Sequence, residues 1–176
     1  MAKEGFGLVH VYTGDGKGKT TSALGLAMRA SGRGCRVLMV QFMKTDGAYG
    51  EQWASRELGG LEVRPMGLDC LIHADAPSPA DVAKAHEGLA MAAQAMSSGD
   101  WDLVVLDEVN VAVRWGLVTE AEVLGALRSR APGVEVVLTG RYAPPSFVEM
   151  ADLVTEMRCV KHYYQKGVLA RDGIER

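Results

Sequence analysis

Lys17, Lys19, Thr20 and Thr21 are interleaved with Gly14, Gly16 and Gly18 in a stretch that runs from residue 8 to 21 as Leu-Val-His-Val-Tyr-Thr-Gly-Asp-Gly-Lys-Gly-Lys-Thr-Thr. Two ammonium groups and two hydroxyls set among glycines form a set suited to handling phosphate. The glycines let the backbone take positive φ and approach a ligand closely. Successive amide N–H groups then face one concavity, above the positive end of the helix that follows. Lys19 is placed to reach phosphate oxygens, and the Thr20 hydroxyl to bind Mg²⁺. The usual pattern is Gly-x-x-x-x-Gly-Lys-Ser/Thr, and its first glycine falls here on Thr13. With a preceding apolar run, alternating glycines and a second lysine, the loop is expected to bind a polyphosphate. Asp15 has two readings: its carboxylate faces solvent or pairs with Lys17, or it accepts hydrogen bonds from ribose hydroxyls lying over the loop.

Further along the chain, Asp107 and Glu108 follow Val-Val-Leu. Acidic residues at that point in phosphate-loop proteins hold Mg²⁺, directly or through water, opposite the loop threonine. The alternative is a strand-end carboxylate that caps a neighbouring helix. Arg141 follows an apolar run and a Thr-Gly turn, so its guanidinium either reaches the phosphates or makes a surface ion pair. Gln41, Lys44 and the irregular stretch 67–79 fall at comparable positions. His10 reads as a packed residue, His86 as solvated, and Trp53, Trp101 and Trp115 as core or edge residues. The nine methionines are scattered core filler.

These groups need a scaffold that brings distant segments to one edge. Stretches at 8–12, 37–42, 61–66, 103–106, 134–138 and 153–157 read as strands, that at 37–42 nearly continuous in apolar residues as a parallel strand covered on both faces is. Helices are expected at 20–31, 51–58, from Ser78-Pro79-Asp81 through Met96, from Thr119 through residue 130, and from Pro144-Pro145 towards Met150. Such alternation implies an α/β fold: one domain over 1–176 with a mostly parallel six-stranded sheet and helices on both faces, of the P-loop NTPase (RecA-like) kind. Ligands bind such sheets beyond the carboxyl ends of the strands, where the loop after the first strand, Gln41, Lys44, the 67–79 stretch, Asp107-Glu108 and Arg141 fall.

The chain has 176 residues, 48% hydrophobic and 23% charged, with a net charge of −3. That balance gives no electrostatic reason to expect nucleic acid. No apolar run approaches a membrane span, and no signal peptide is expected ahead of the first strand. Cys35, Cys70 and Cys159 are widely spaced and read as reduced thiols of a cytoplasmic protein. Spacing alone leaves an ATPase, a kinase and a transferase acting on the sugar equally open.

The chain resembles the phosphate-loop ATP:corrinoid adenosyltransferases over nearly its whole length. The matching pieces run from Tyr12 to Thr21, then Arg29, Val40-Gln41-Phe42-Met43-Lys44, Gly50-Glu51 and Leu106-Asp107-Glu108. They continue through Thr139-Gly140-Arg141, Ala151-Asp152-Leu153-Val154-Thr155-Glu156-Met157, Val160-Lys161-His162 and Gly173-Ile174-Glu175. The family also lacks the first loop glycine. The resemblance implies that a Co(I) corrinoid attacks C5′ of ATP, forms a Co–C bond and expels triphosphate, with ATP reversed along the loop. It implies Lys19, Glu108 and Arg141 as catalytic groups, Mg²⁺ on Thr20 and Glu108, and nucleotide contacts from residues 13–21 and Arg29. A reductase that supplies the electron and a homodimer are implied as well. Leu71 and His73 stand where the family carries an aromatic pair beneath the corrin. Leu71 is expected to exclude water and an axial ligand, and His73 to be packed or solvent-facing.

Overall fold

The computed structural model describes residues 5–69 and 76–176; the expectations for Leu71 and His73 lie outside the described residues. Six parallel strands form one sheet: β1 (Val9–Thr13), β2 (Val37–Phe42), β3 (Leu61–Met66), β4 (Leu103–Asp107), β5 (Glu135–Thr139) and β6 (Leu153–Glu156). Their spatial order is β3-β2-β4-β5-β1-β6. The α/β fold expected from the alternating pattern is the one observed, with every pairing parallel, consistent with a P-loop NTPase-like arrangement.

The continuous apolar runs have a direct cause. Every residue of β2 and of β4 is buried, because successive side chains enter cores on opposite faces. Leu38, Val40 and Phe42 join a larger cluster with Val104 and Leu106, while Val37 and Met39 join a smaller one with Leu103 and Val105. The smaller cluster is closed by α1 (Lys19–Ser31) through Ala23 and Ala27. The larger is closed by α3 (Pro79–Ser98), α4 (Val109–Arg114), α5 (Glu120–Arg128) and α6 (Pro145–Met150). A short helix, α2 (Gly50–Glu57), packs on the edge strand β3.

Local chemistry sets the helix boundaries. Ser78 with Asp81, and Thr119 with Glu122, each form a reciprocal capping box, and Gly99 ends α3 in the left-handed conformation. The sequence pattern gave no sign of α4. Its Val109, Asn110, Val111 and Ala112 are all buried, so no amphipathic period marks it. His10 is half-buried against Glu135 (2.7 Å), and His86 faces Glu122 at 3.5 Å from an exposed position. Trp115 and Trp101 pack on the larger cluster, whereas Trp53 is 56% exposed beneath Arg56. Among the described residues no helix is long and apolar enough to cross a membrane.

Sheet order is what builds the site. β5 lies between β1 and β4, so the loop after β1 and the carboxylates after β4 are separated by one strand. That gap is filled at its end by Thr139, the last residue of β5.

Candidate active site

The loop after β1 leads through Gly18 (φ 123°) into Lys19, the first residue of α1. Lys19 is 7% exposed and its Nζ donates to the carbonyl oxygens of Gly14 (2.8 Å) and Gly16 (2.7 Å). The ammonium is therefore folded onto its own loop, held by acceptors that phosphate oxygens can replace. Burial lowers its pKa, with Glu108 opposing that shift and Arg141 adding to it.

The glycines serve a second purpose that spacing did not disclose. Backbone following β6 crosses directly over the loop: Gly16 N donates to Met157 O (2.7 Å), and Met157 N to Thr13 O (2.8 Å). A Cβ on Gly14 would lie 2.3 Å from Met157 O, and one on Gly16 would lie 2.7 Å from the carbonyl carbon of Arg158. Both positions therefore exclude any side chain. Asp15 belongs to the same crossing, since its Oδ1 accepts from Cys159 N at 3.1 Å. It does not pair with Lys17, which bonds instead to Ile174 O at 3.1 Å.

Asp107 is fully buried and organises the cavity floor. Its Oδ1 accepts from Thr20 Oγ1 (2.8 Å) and Thr139 Oγ1 (2.7 Å); its Oδ2 accepts from Gln41 Nε2 (3.3 Å) and pairs with Lys44 Nζ (2.8 Å). Lys44 also pairs with Glu51 (3.2 Å), which accepts from Gln41 Nε2 (2.8 Å). Burial pulls the Lys44 pKa down, but Asp107 and Glu51 outweigh it and the net shift is upward. Lys44 is thus a permanent cation within an otherwise acidic floor.

Glu108 holds a left-handed backbone (φ 63°, ψ 15°). Two contacts enforce this uncommon conformation for a non-glycine residue. Thr139 Oγ1 accepts from Glu108 N (2.9 Å), and the Glu108 carbonyl accepts from Val111 N and Ala112 N in the first turn of α4. The side chain turns into the cavity, and its Oε2 lies only 3.3 Å from where a Cβ on Gly140 would sit. Among the described residues its carboxylate accepts no hydrogen bond. Burial raises its pKa, Asp107 raises it further, and Lys44, Lys19 and Arg141 oppose. The Glu108 carboxylate and the Thr20 hydroxyl line one cavity and form a hard-oxygen donor set that fits Mg²⁺.

Lys17, Lys19, Thr20, Thr21, Glu108 and Arg141 line one open cavity of about 580 Å³, with Gly16 and Gly18 in its wall. Thr13, Gly14 and Asp15 lie outside it, and the Thr13 hydroxyl accepts from Ala143 N (3.3 Å). Arg29 is placed elsewhere. It lies ten residues beyond Lys19, roughly 15 Å along α1, and lines a different cavity with Phe6, Arg33 and Glu135. A helix that starts under the phosphates carries its last turn away from them. Lys44, Tyr49, Glu51, His162 and residues 173–176 also line the larger cavity. Thr139 could have been singled out as the polar end of an apolar strand, whereas Gly173, Ile174 and Glu175 were marked only by their match to the family pattern.

The profile of the ATP:corrinoid adenosyltransferase family BtuR/CobO/CobP matches residues 5–176. The chain belongs to that family. It is 38% identical to a corrinoid adenosyltransferase of Pseudomonas aeruginosa over 176 residues, which cover 99% of this chain and 86% of the relative. It is 37% identical to the corrinoid adenosyltransferase CobA of Salmonella typhimurium and 35% identical to a corrinoid adenosyltransferase of Escherichia coli. Each of these alignments covers 99% of this chain and 88% of the relative.

Proposed function

We propose that the cavity above β1, β4 and β5 holds ATP so that its C5′ meets a Co(I) corrinoid, and that the chain's own residues stabilise triphosphate as it leaves. Membership of the family makes the chain a transferase that passes the adenosyl group of ATP to a corrinoid. The residue roles rest on one observation above all. Lys19, Thr20, Glu108 and Arg141 reach one cavity from three different strand ends.

As the Co–C bond forms, the C5′–O bond breaks and its electron pair stays on the triphosphate oxygen. Charge on the leaving group is the main electrostatic demand. Loop amides, Lys19 and Arg141 are the groups proposed to meet it. Mg²⁺, when bound by Thr20 and Glu108, would supply further neutralisation there. No residue has to remove a proton, because the nucleophile is the substrate's reduced cobalt. Lys19 must exchange its bonds to Gly14 O and Gly16 O for phosphate oxygens, a short movement within the loop. Asp15 lies outside the cavity lining with no hydrogen bond on Oδ2 among the described residues, and it is the proposed acceptor for a ribose hydroxyl only where the sugar extends past that lining.

The surroundings of the reaction follow from the same reading. A reductase is proposed to supply the electron for Co(I). A homodimer is supported by the edge strand β6, in which Leu153 and Val154 are each 42% exposed. A cytoplasmic location is proposed as well, from the wide spacing of Cys35, Cys70 and Cys159 in the sequence.

Incubation with MgATP and a corrinoid under strong reductant tests the proposal. Tripolyphosphate and a light-sensitive Co–C product are expected in equal amounts. ADP and orthophosphate formed without corrinoid would instead identify a hydrolase that uses the same loop.

A further inference from the structure

Residues 171–176 fold back over the phosphate loop, and nothing in the reaction above gives them a task. They are tied chiefly to one another and to the 3₁₀ turn at Tyr163–Lys166. Glu175 is the knot. It accepts from Tyr163 Oη, from Arg171 N (2.9 Å), and from Arg171 Nε and Nη2 (3.2 Å each). The Arg171 guanidinium also lies 5.0 Å from the centre of the Tyr163 ring. The bonds from Arg171, then that from Tyr163, bring the Glu175 pKa down to about 2, so the carboxylate is charged at every physiological pH.

This hook reaches the loop through Lys17. Lys17 Nζ donates to Ile174 O (3.1 Å) and lies 3.8 Å from Glu175 Oε1. Lys17 is 40% exposed, and its long side chain would otherwise sample many directions. Gly173, Ile174, Glu175 and Arg176 wall the same cavity as Lys19 and Glu108.

We propose that residues 171–176 form part of the nucleotide site, with Glu175 a positioning residue that aims Lys17 and holds the Ile174 segment against the triphosphate-bearing ligand. Arg171 and Tyr163 keep Glu175 in place, Glu175 keeps Lys17 in place, and Lys17 meets the ligand. The role is pre-organisation: the bound direction of Lys17 is set before the ligand arrives. A plain charge argument predicts the opposite outcome, because deleting a carboxylate beside a polyanion site removes repulsion and should tighten binding.

The inference rests on the ATP site proposed above, and calorimetric titration of MgATP without corrinoid separates the two. If the wild-type protein fails to bind MgATP, the site assignment itself is wrong. If the wild type binds, Glu175→Gln should weaken binding about tenfold and raise KM for ATP equally, with kcat within about twofold and KM for the corrinoid unchanged. The double variant Lys17→Met/Glu175→Gln should bind no worse than Lys17→Met alone, since the carboxylate acts through that lysine. Tyr163→Phe removes one support without removing a charge, and a weaker effect in the same direction, about threefold, is expected. Unchanged or tighter MgATP binding in Glu175→Gln, or additive losses in the double variant, would overturn the proposal.

Discussion

Two carboxylates gather cations around one cavity, and they do so in opposite settings. Asp107 is fully buried at the end of β4, where Thr20, Thr139, Gln41 and Lys44 use all of its acceptor capacity. Glu175 belongs to a surface hook whose partners are the half-buried Tyr163, the exposed Arg171 and one backbone amide. Desolvation separates the two. A charge inside the sheet cannot lose a partner without being left unpaired where water cannot reach it, so Asp107 binds site geometry to fold stability. A charge on the hook can lose its partners to water at little cost, so Glu175 is free to govern the direction of a ligand-binding group and nothing else.

The largest effect should come from Lys19, whose ammonium is bonded to loop carbonyls and to neither carboxylate. Lys19→Ala removes the cation closest to the loop carbonyls, and kcat/KM is expected to fall by about 10²–10³ or more in a triphosphate-release assay. Activity near wild type would show that Lys19 is merely packed against its loop. On the buried side, Lys44→Met leaves Asp107 and Glu51 without their cation. A loss of roughly 3–5 kcal/mol in urea unfolding is expected, whereas Glu175→Gln should leave the urea midpoint where it is. Equal midpoint shifts in the two variants would break the contrast.

Thr139→Val tests the link between sheet order and the αL residue. It removes the acceptor for Glu108 N and one donor to Asp107, with an expected destabilisation of about 1–3 kcal/mol together with lower activity. Normal activity would mean that Glu108 keeps its conformation through α4 alone.

The smallest effect concerns pH. The Glu108 pKa is raised above the ordinary 4.5, first by burial and then by Asp107. The native state therefore holds this proton after the unfolded chain has released it, and stability of the ligand-free protein falls as pH rises through that window. Glu108→Gln escapes the loss. It should melt above wild type at neutral pH, and the gap should close below about pH 4. A gap that is the same at both pH values would place the carboxylate in water.

Much of this architecture was legible in the chain. The stretches 37–42 and 61–66 coincide with β2 and β3; β2 was legible because a strand buried on both faces must be apolar at nearly every step. Ser78 with Asp81 and Thr119 with Glu122 announced α3 and α5, because capping is decided within four residues. Lys19, Thr20, Glu108 and Arg141 were each nominated by position at a strand end, and one cavity holds all four. Arg29 lines another cavity, because the length of α1 carries it away from the loop.

Sequence by itself therefore determined the strands, the capped helices and the phosphate loop, since each depends on residues close together in the chain. Tertiary structure alone decided that β5 would enter between β1 and β4 and set Thr139 against both Asp107 and Glu108. It alone decided that Met157 and Arg158 would cross the loop and close Gly14 and Gly16 to side chains, and that Glu175 would stand beside Lys17. The physical reason is common to all three: these contacts join segments more than thirty residues apart, and pairing at that distance is selected by sheet order and core packing, which no local pattern encodes.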